Sequence, residues 1–149
     1  MPDLSTGSSR RPRLAKGPVL FVCVENAGRS QMAEAFAKKH RTNAESAGTI
    51  PSMRINPIVV DVMRERGIDI SFNHPKILTP ELIRGAGLVV TMGCSIEEAC
   101  PKPTIAQMQK KLVEWHLEDP KGRSLEEVRK IRDEIERKIM ELTAHLRAA

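Results

Sequence analysis

A cysteine and an arginine flank a short loop, with five residues between Cys23 and Arg29. The apolar run before Cys23 predicts a buried strand, and the segment after Ser30 has helical character. A glycine-containing loop between a strand and a helix N-terminus binds a tetrahedral oxyanion through backbone N–H groups and the positive end of the helix dipole. The predicted oxyanion-binding loop consists of Val24, Glu25, Asn26, Ala27, Gly28, Arg29 and Ser30.

Cys23 is the candidate nucleophile of this loop. A helix N-terminus and a nearby arginine both favour the thiolate, so the environment that binds an anion also activates the group that attacks it. The alternative is that Cys23 is a small buried hydrophobe at the end of a strand. Because the C-x5-R spacing also occurs by chance, other residues have to decide between the two interpretations.

Asp119 is the candidate general acid. It precedes Pro120 and follows the last predicted strand. In a parallel sheet, the loop after that strand returns to the edge that carries Cys23, so a carboxylic acid there can protonate a leaving oxygen. An Asp-Pro pair also opens turns, and this alternative remains.

Two further thiols, Cys94 and Cys100, follow the predicted strand at 87–92. Thiols in a loop near a nucleophilic cysteine suggest relayed disulfide exchange. A zinc site is the alternative, but C-x5-C is not a usual zinc spacing, so we expect no metal. Two loop cysteines without a chemical role are the remaining alternative.

Four polar residues are expected to support the loop by hydrogen bonding. Glu34 lies one turn into the predicted helix from Ser30 and shares its face. The supporting set is Asn26, Ser30, Glu34 and Ser46.

The elements that position these residues alternate between strands and helices. Strands are predicted at 18–23, 44–47, 87–92 and 113–115, and helices at 30–40, 56–67 and 79–85 and from Ser124 onward. Ser124 and Glu127 form a predicted capping box, Pro57 suits a first helical position, and Gly67 is the expected C-cap. This order implies an α/β fold, a three-layer α/β/α structure with a central four-stranded parallel sheet and the phosphate-binding loop after its first strand.

The composition excludes several classes of protein. The chain has 149 residues, of which 40% are hydrophobic and 29% charged, as in a soluble globular domain with a single core. No apolar run approaches the ~20 residues that span a bilayer, and no secretory signal is evident. Three cysteines do not make a disulfide framework and fit a reducing compartment. We expect a cytoplasmic monomer.

The net charge of +5 is concentrated in part at the N-terminus. Residues 1–17 are expected to be a flexible basic tail, and 18–149 a single domain. A basic tail could bind nucleic acid. The chain has no tyrosine and one tryptophan, so stacking platforms for bases are not evident, and we expect no nucleic-acid partner.

Taken together, the motifs resemble the low-molecular-weight protein tyrosine phosphatase superfamily and, within it, the thioredoxin-coupled arsenate reductases. The resemblance covers about residues 18–146. It rests on the segment from Val19 to Glu34 and on Glu45-Ser-Ala-Gly48, Asn56-Pro57, Gly67-Ile-Asp-Ile-Ser71, Asn73-His74, Leu88-Val-Val-Thr91, Cys100-Pro101, Asp119-Pro120 and Arg132-Asp-Glu-Ile135.

The resemblance implies a role for each candidate. Cys23 would attack arsenate, Arg29 and the loop backbone would hold its oxygens, and Asp119 would protonate the departing oxygen. Cys94 would then attack the adduct, which releases arsenite and leaves a Cys23–Cys94 disulfide. Cys100 would resolve that bond, and a thioredoxin-like protein would reduce the Cys94–Cys100 pair. No bound cofactor is implied.

Three departures from the family pattern bear on function. The family loop often has glycine where Glu25 stands, and a carboxylate at the mouth of an anion site should weaken anion affinity unless it points away. The relay cysteines are usually one residue further apart, so the order in which Cys94 and Cys100 attack stays open. Lys121-Gly122 follow the Asp-Pro pair where phosphatases usually carry aromatic residues, which counts against phosphotyrosine. Hydrolysis of phosphate monoesters through a phosphocysteine remains the alternative function.

A fourth departure concerns a cation. Some members of the family bind potassium through residues that match Asn26, Glu34 and Ser46 together with an aspartate. Here Lys76 stands in that region and no aspartate does. We expect its ammonium group to replace the ion.

Overall fold

A computed structural model describes residues 17–93 and 111–148 of the chain. Both relay cysteines, Cys94 and Cys100, lie outside the described residues. The same holds for the predicted tail, apart from Gly17.

The described residues form alternating strands and helices where the sequence predicts them. The elements are β1 (Val19–Cys23), α1 (Arg29–Lys39), β2 (Ala44–Gly48), α2 (Pro57–Arg64), α3 (Pro80–Gly85), β3 (Leu88–Met92), β4 (Leu112–Trp115) and α4 (Leu125–Ala148). The predicted α/β fold with a four-stranded parallel sheet is therefore confirmed.

The sheet places β1 in its interior. The strand order is β2-β1-β3-β4, and every neighbouring pair is parallel. From β1 the chain first crosses to one side of the sheet, to β2, and later to the other side, to β3. A doubly wound sheet binds ligands where its strand order reverses, at the carboxyl ends of the strands. Cys23 ends β1 at this point.

Helices cover both faces of the sheet, as predicted. Side chains alternate along β1: Phe21 and Cys23 pack in the larger cluster with α1, α2 and α4, whereas Leu20 and Val22 pack in the smaller cluster with α3. This alternation is the two-residue period of a strand buried on both faces. It turns the Cys23 side chain toward the face that α1 covers.

Helix ends follow the expected chemistry, with one difference. Ser124 and Glu127 form the predicted capping box, with N···O distances of 3.0 and 3.2 Å. Pro57 takes the first helical position of α2, as predicted, and the Asn56 side chain caps the helix ahead of it. The helix α2 ends at Arg64 and its C-cap is Glu65, two residues before the predicted Gly67. Gly67 still terminates the turn that follows: its φ is +76°, its N–H donates to Arg64 O, and Ile68 N–H donates to Met63 O, as at a glycine-terminated helix. Among the described residues, none of the helices combines the length and the apolar character needed to cross a bilayer.

Candidate active site

Hydrogen bonds to the outer side of the loop after β1 fix the shape of its backbone. The carbonyl oxygens of Cys23, Val24, Glu25 and Ala27 accept from backbone N–H groups of the segment 49–56, at 2.8–3.2 Å. The fifth carbonyl, that of Asn26, accepts from the Gln31 side chain at 3.2 Å. In a trans peptide the following N–H points opposite to the carbonyl, and no peptide bond here is cis. The loop amides therefore point to its inner side, where an oxyanion can meet them.

The first turn of α1 contributes further donors. The first helical hydrogen bond runs from Met32 N–H to Gly28 O, at 3.0 Å. The N–H groups of Arg29, Ser30 and Gln31 precede that bond and have no intrahelical partner. Gly28 provides no capping side chain, and no acidic residue occupies the first turn. The positive end of the helix is thus directed at the loop.

A buried chain of side-chain hydrogen bonds ends at the candidate nucleophile. Ser30 Oγ lies 2.8 Å from Cys23 Sγ and also accepts from Asn26 Nδ2 at 2.7 Å. The second Nδ2 hydrogen goes to Ser46 Oγ at 3.0 Å. Because Ser30 Oγ already accepts from Asn26, its own hydrogen is free to point at Cys23 Sγ. A hydroxyl donor there stabilises negative charge on the sulfur.

Asn26 occupies the left-handed backbone region that the turn requires, with φ +53°. Asparagine tolerates this conformation better than most residues. Its side-chain oxygen accepts from Lys76 N–H at 2.8 Å and from Gln31 Nε2 at 3.1 Å. Asn26 is fully buried and its amide is fully hydrogen-bonded, so it fixes the shape of the loop.

Glu34 anchors the far end of this chain. Ser46 Oγ donates to Glu34 Oε1 at 2.5 Å, and Lys38 Nζ pairs with the other oxygen at 2.7 Å. The Lys76 ammonium lies 4.0 Å from Glu34 Oε1. It is therefore close to one of the residues beside which the sequence predicts that this ammonium group replaces a bound ion. In residues 17–93 and 111–148, no group of three or more His, Cys, Asp or Glu side chains has the arrangement of a metal site.

Arg29 connects the loop to the opposite wall. Its guanidinium donates to Leu117 O at 3.1 Å and lies 3.7 Å from Asp119 Oδ2. Gly93 packs against the same end of the guanidinium: a Cβ on Gly93 would lie 2.5 Å from Arg29 Nη1 and 3.4 Å from Leu117 O. The side chain of Arg29 is 7% exposed, so these contacts fix its position.

Asp119 both lines the pocket and opens a turn. Its Oδ1 accepts from Lys121 N–H at 3.0 Å, as the turn-opening alternative requires. The turn packs closely on the loop, since a Cβ on Gly28 would lie 2.7 Å from Pro120 Cγ. Asp119 is half exposed and faces the same pocket as Cys23. The two interpretations of this residue are therefore compatible.

The pocket between these walls is small. About 20 Å³ is open to the centres of water-sized molecules, enough for a small ion or water. Cys23, Arg29 and Asp119 all line it, as do Glu25 and Lys121 at its mouth. Lys121 Nζ donates to Glu25 Oε2 at 2.9 Å, and this hydrogen bond and the carboxylate charge raise the pKa of Lys121.

The structure brings together the predicted residues that it describes: Cys23, the loop 24–30, Asp119, Glu34 and Ser46. Sequence reasoning missed Gln31, Leu117 and Gly93. Gln31 follows Ser30 at the start of the predicted helix, on the face that also carries Glu34, and nothing in its residue type marks it as a partner of Asn26. Leu117 acts through its carbonyl and Gly93 through close approach, and neither role has a signature in the residue type.

The chain matches the family described as low molecular weight phosphotyrosine protein phosphatase over residues 18–149. Among its curated relatives, the arsenate reductase of Brevibacillus brevis is 38% identical over 124 residues, which cover 80% of this chain and 89% of the relative.

Two solved structures show how the fold is used elsewhere. The thioredoxin-dependent arsenate reductase of Corynebacterium glutamicum is 35% identical with a TM-score of 0.69, and the match covers 90% of this chain and 63% of that one. The YwlE arginine phosphatase of Geobacillus stearothermophilus is 26% identical with a TM-score of 0.77, over 87% of this chain and 92% of that one. This chain belongs to the low molecular weight phosphotyrosine protein phosphatase family, and arsenate reductases are among its relatives.

Proposed function

We propose that the protein is an arsenate reductase that works through a cysteine disulfide relay. One observation carries the proposal: Cys23, Arg29 and Asp119 line a single small pocket, and Gly93 lies against Arg29 in that wall. Cys94 is the next residue in the sequence. Gly93, one residue before a second thiol in the sequence, therefore lies beside the anion site.

The first step is displacement at arsenic. The Cys23 thiolate attacks arsenate, a sulfur–arsenic bond forms, and one arsenic–oxygen bond breaks. Asp119 protonates the departing oxygen, which leaves as water. Arg29 and the inward-pointing loop amides hold the remaining oxygens and stabilise their charge.

Reduction follows by thiol exchange. The thiolate of Cys94 attacks Cys23 Sγ, the sulfur–arsenic bond breaks, and its electron pair stays on arsenic, which leaves as arsenite. The third thiol, of Cys100, attacks the resulting disulfide and frees Cys23. A dithiol protein of the thioredoxin type then reduces the Cys94–Cys100 pair. The two relay cysteines exchange roles if Cys100 attacks first.

Phosphate monoester hydrolysis is a second candidate function, since Cys23, Arg29 and Asp119 need no further thiol for it. A phosphocysteine forms at Cys23 and water then hydrolyses it. The likeness to the arginine phosphatase structure supports hydrolysis of phosphoryl groups at such a site, although the bond cleaved in a phosphorylated arginine is phosphorus–nitrogen and not an ester bond. The two activities are compatible, because phosphate and arsenate are close analogues.

Relay variants separate the candidates. Cys100→Ser and Cys94→Ser should each stop multiple turnover of arsenate, while phosphate monoester hydrolysis continues in both. Under single-turnover conditions, the variant that lacks the resolving cysteine should accumulate the first disulfide, which mass spectrometry identifies and which fixes the order of attack. Undiminished arsenate turnover in both variants would contradict the relay.

We also propose the setting in which this chemistry takes place. Residues 18–149 form the catalytic domain, residues 1–17 a flexible basic tail, and the protein acts as a monomer in the cytoplasm. Support comes from the chemistry, since a thiol relay that a thioredoxin-like protein regenerates belongs in a reducing compartment.

A further inference from the structure

An ion pair lies across the mouth of the pocket. Lys121 Nζ and Glu25 Oε2 are 2.9 Å apart, and both side chains line the pocket that Cys23 and Asp119 share. Glu25 belongs to the oxyanion-binding loop, and Lys121 to the turn after β4, 96 residues further along the chain. The arsenate chemistry proposed above uses neither side chain.

The pair lies on the side where a leaving group departs. Asp119, the proposed acid for the leaving oxygen, accepts from the Lys121 N–H at 3.0 Å. Pro120, between them, packs against Gly28 of the loop. Asp119 and Lys121 thus belong to one short turn that packs against the loop. The ion pair between Lys121 and Glu25 is a second contact between this turn and the loop.

This placement distinguishes two classes of substrate. The leaving oxygen of arsenate carries nothing larger than hydrogen, so it reaches Asp119 without disturbing the pair. In an ester, the same oxygen carries a carbon substituent that has to leave through the mouth. The substituent then displaces the Lys121 side chain and leaves the Glu25 carboxylate unpaired near a bound anion, which is electrostatically unfavourable.

We propose that Glu25 and Lys121 are specificity determinants that favour small inorganic oxyanions over phosphate or arsenate esters. The proposal rests on the proposed function, because it assigns the substrate class of the same site. It also accounts for the carboxylate at an anion site, since the Lys121 ammonium compensates its charge.

Equilibrium binding tests the pair without turnover. The ligands are inorganic phosphate and phenylphosphonate, whose phenyl group mimics an ester substituent and whose carbon–phosphorus bond is not hydrolysed. Calorimetry gives the Kd of each for the wild type, Glu25→Gln, Lys121→Met and the double variant. The control is Glu141→Gln, which removes an exposed ion pair with Arg137 on α4.

Glu25→Gln should tighten phosphate binding, because a like charge is lost and Lys121 is freed for the anion. Lys121→Met should weaken it, because Glu25 is left unpaired. In all three variants the preference for phosphate over phenylphosphonate should fall by up to about fivefold, the strength of an exposed ion pair. The control should keep the wild-type preference.

An unchanged preference in all three mouth variants would overturn the proposal. Thermal unfolding checks that each variant is folded. The binding measurement is independent of arsenate reduction. If the wild type reduces no arsenate but the mouth variants lower the preference for phosphate, the proposed function is contradicted and the specificity role is supported. A wild type that reduces arsenate, with mouth variants that keep the wild-type preference for phosphate, would support the proposed function and contradict the specificity role.

Discussion

At the residue scale, the site depends on polar side chains whose hydrogen-bond directions are fixed by their partners. Asn26 uses both of its amide hydrogens on serine hydroxyls, and this leaves the Ser30 hydrogen for Cys23 Sγ. The sequence identified these side chains as supports of the loop. It could not reveal their directions, because these follow from contacts up to 50 residues apart, such as that between Lys76 N–H and Asn26.

Ser30→Ala should slow alkylation of Cys23 by about tenfold to a hundredfold, since a hydrogen bond to a charged group contributes about 1.5–3 kcal/mol. The rate with iodoacetamide at fixed pH is the measurement, in a Cys94→Ser, Cys100→Ser background where Cys23 is the only thiol. Ser46→Ala, one step further from the sulfur, is the control and should have a smaller effect. Equal rates in Ser30→Ala and its parent would contradict the role of this hydroxyl.

Gly93→Ala should weaken phosphate binding by displacing the Arg29 guanidinium, which the new Cβ would approach within 2.5 Å. Gly67→Ala is a matched control, because Gly67 also has a positive φ but a Cβ there meets nothing within 4 Å. Each variant should lose about 1–2 kcal/mol of stability from backbone strain. Only Gly93→Ala should raise the Kd for phosphate, measured by calorimetry; equal affinities in the two variants would show that Gly93 does not position Arg29.

At the scale of elements, a charged cluster joins the C-terminal end of α2 to α4. Arg132, almost fully buried, donates to Val62 O at 2.9 Å and to Glu65 at 2.6 Å. Arg129 binds both oxygens of the same carboxylate. The helices and their N-terminal caps were predictable, since apolar spacing and capping residues are local signals. The pairing of Glu65 with arginines more than 60 residues away is set by the packing of the helices.

The contribution of Glu65 to the stability of the protein should therefore be lost in acid. Hydrogen bonds from Arg129 and Arg132 lower the pKa of Glu65 from 4.5 to about 2. Because the pKa is lower in the folded state, the contribution is complete above pH 4.5 and is lost as the pH falls toward 2. Urea unfolding from pH 7 to pH 3 should show Glu65→Gln less stable than the wild type at neutral pH, with the difference shrinking in acid. A difference that does not change with pH would contradict this account.

At the scale of the whole molecule, the doubly wound sheet gathers residues from distant parts of the chain at the carboxyl end of β1. The strand and helix positions and the place of the loop were predictable, because each has a local pattern. The contacts that close the pocket were not. Two of these contacts are that of Glu25 with Lys121 and that of Gly93 with Arg29. Both depend on the positions of β3 and β4 in the sheet, which no local pattern specifies.

Removal of residues 1–16 should leave the domain intact. The backbone of Pro18 already bonds to Gly87, where its carbonyl accepts from the Gly87 N–H at 2.9 Å. A chain that begins at Gly17 should therefore keep the wild-type melting temperature and arsenate kinetics. A drop in either, measured by thermal unfolding and by arsenite release, would assign the tail a part in folding or catalysis.

A single-turnover experiment tests the central claim most directly. The fully reduced wild type is mixed with arsenate in the absence of any other reductant, and arsenite, free thiols and disulfide-linked peptides are measured. The account predicts one arsenite per chain, the loss of two thiols, and a disulfide between Cys94 and Cys100. Addition of a thioredoxin system should then restore continuous turnover. Phosphate monoester hydrolysis with no arsenite and three free thiols would contradict it.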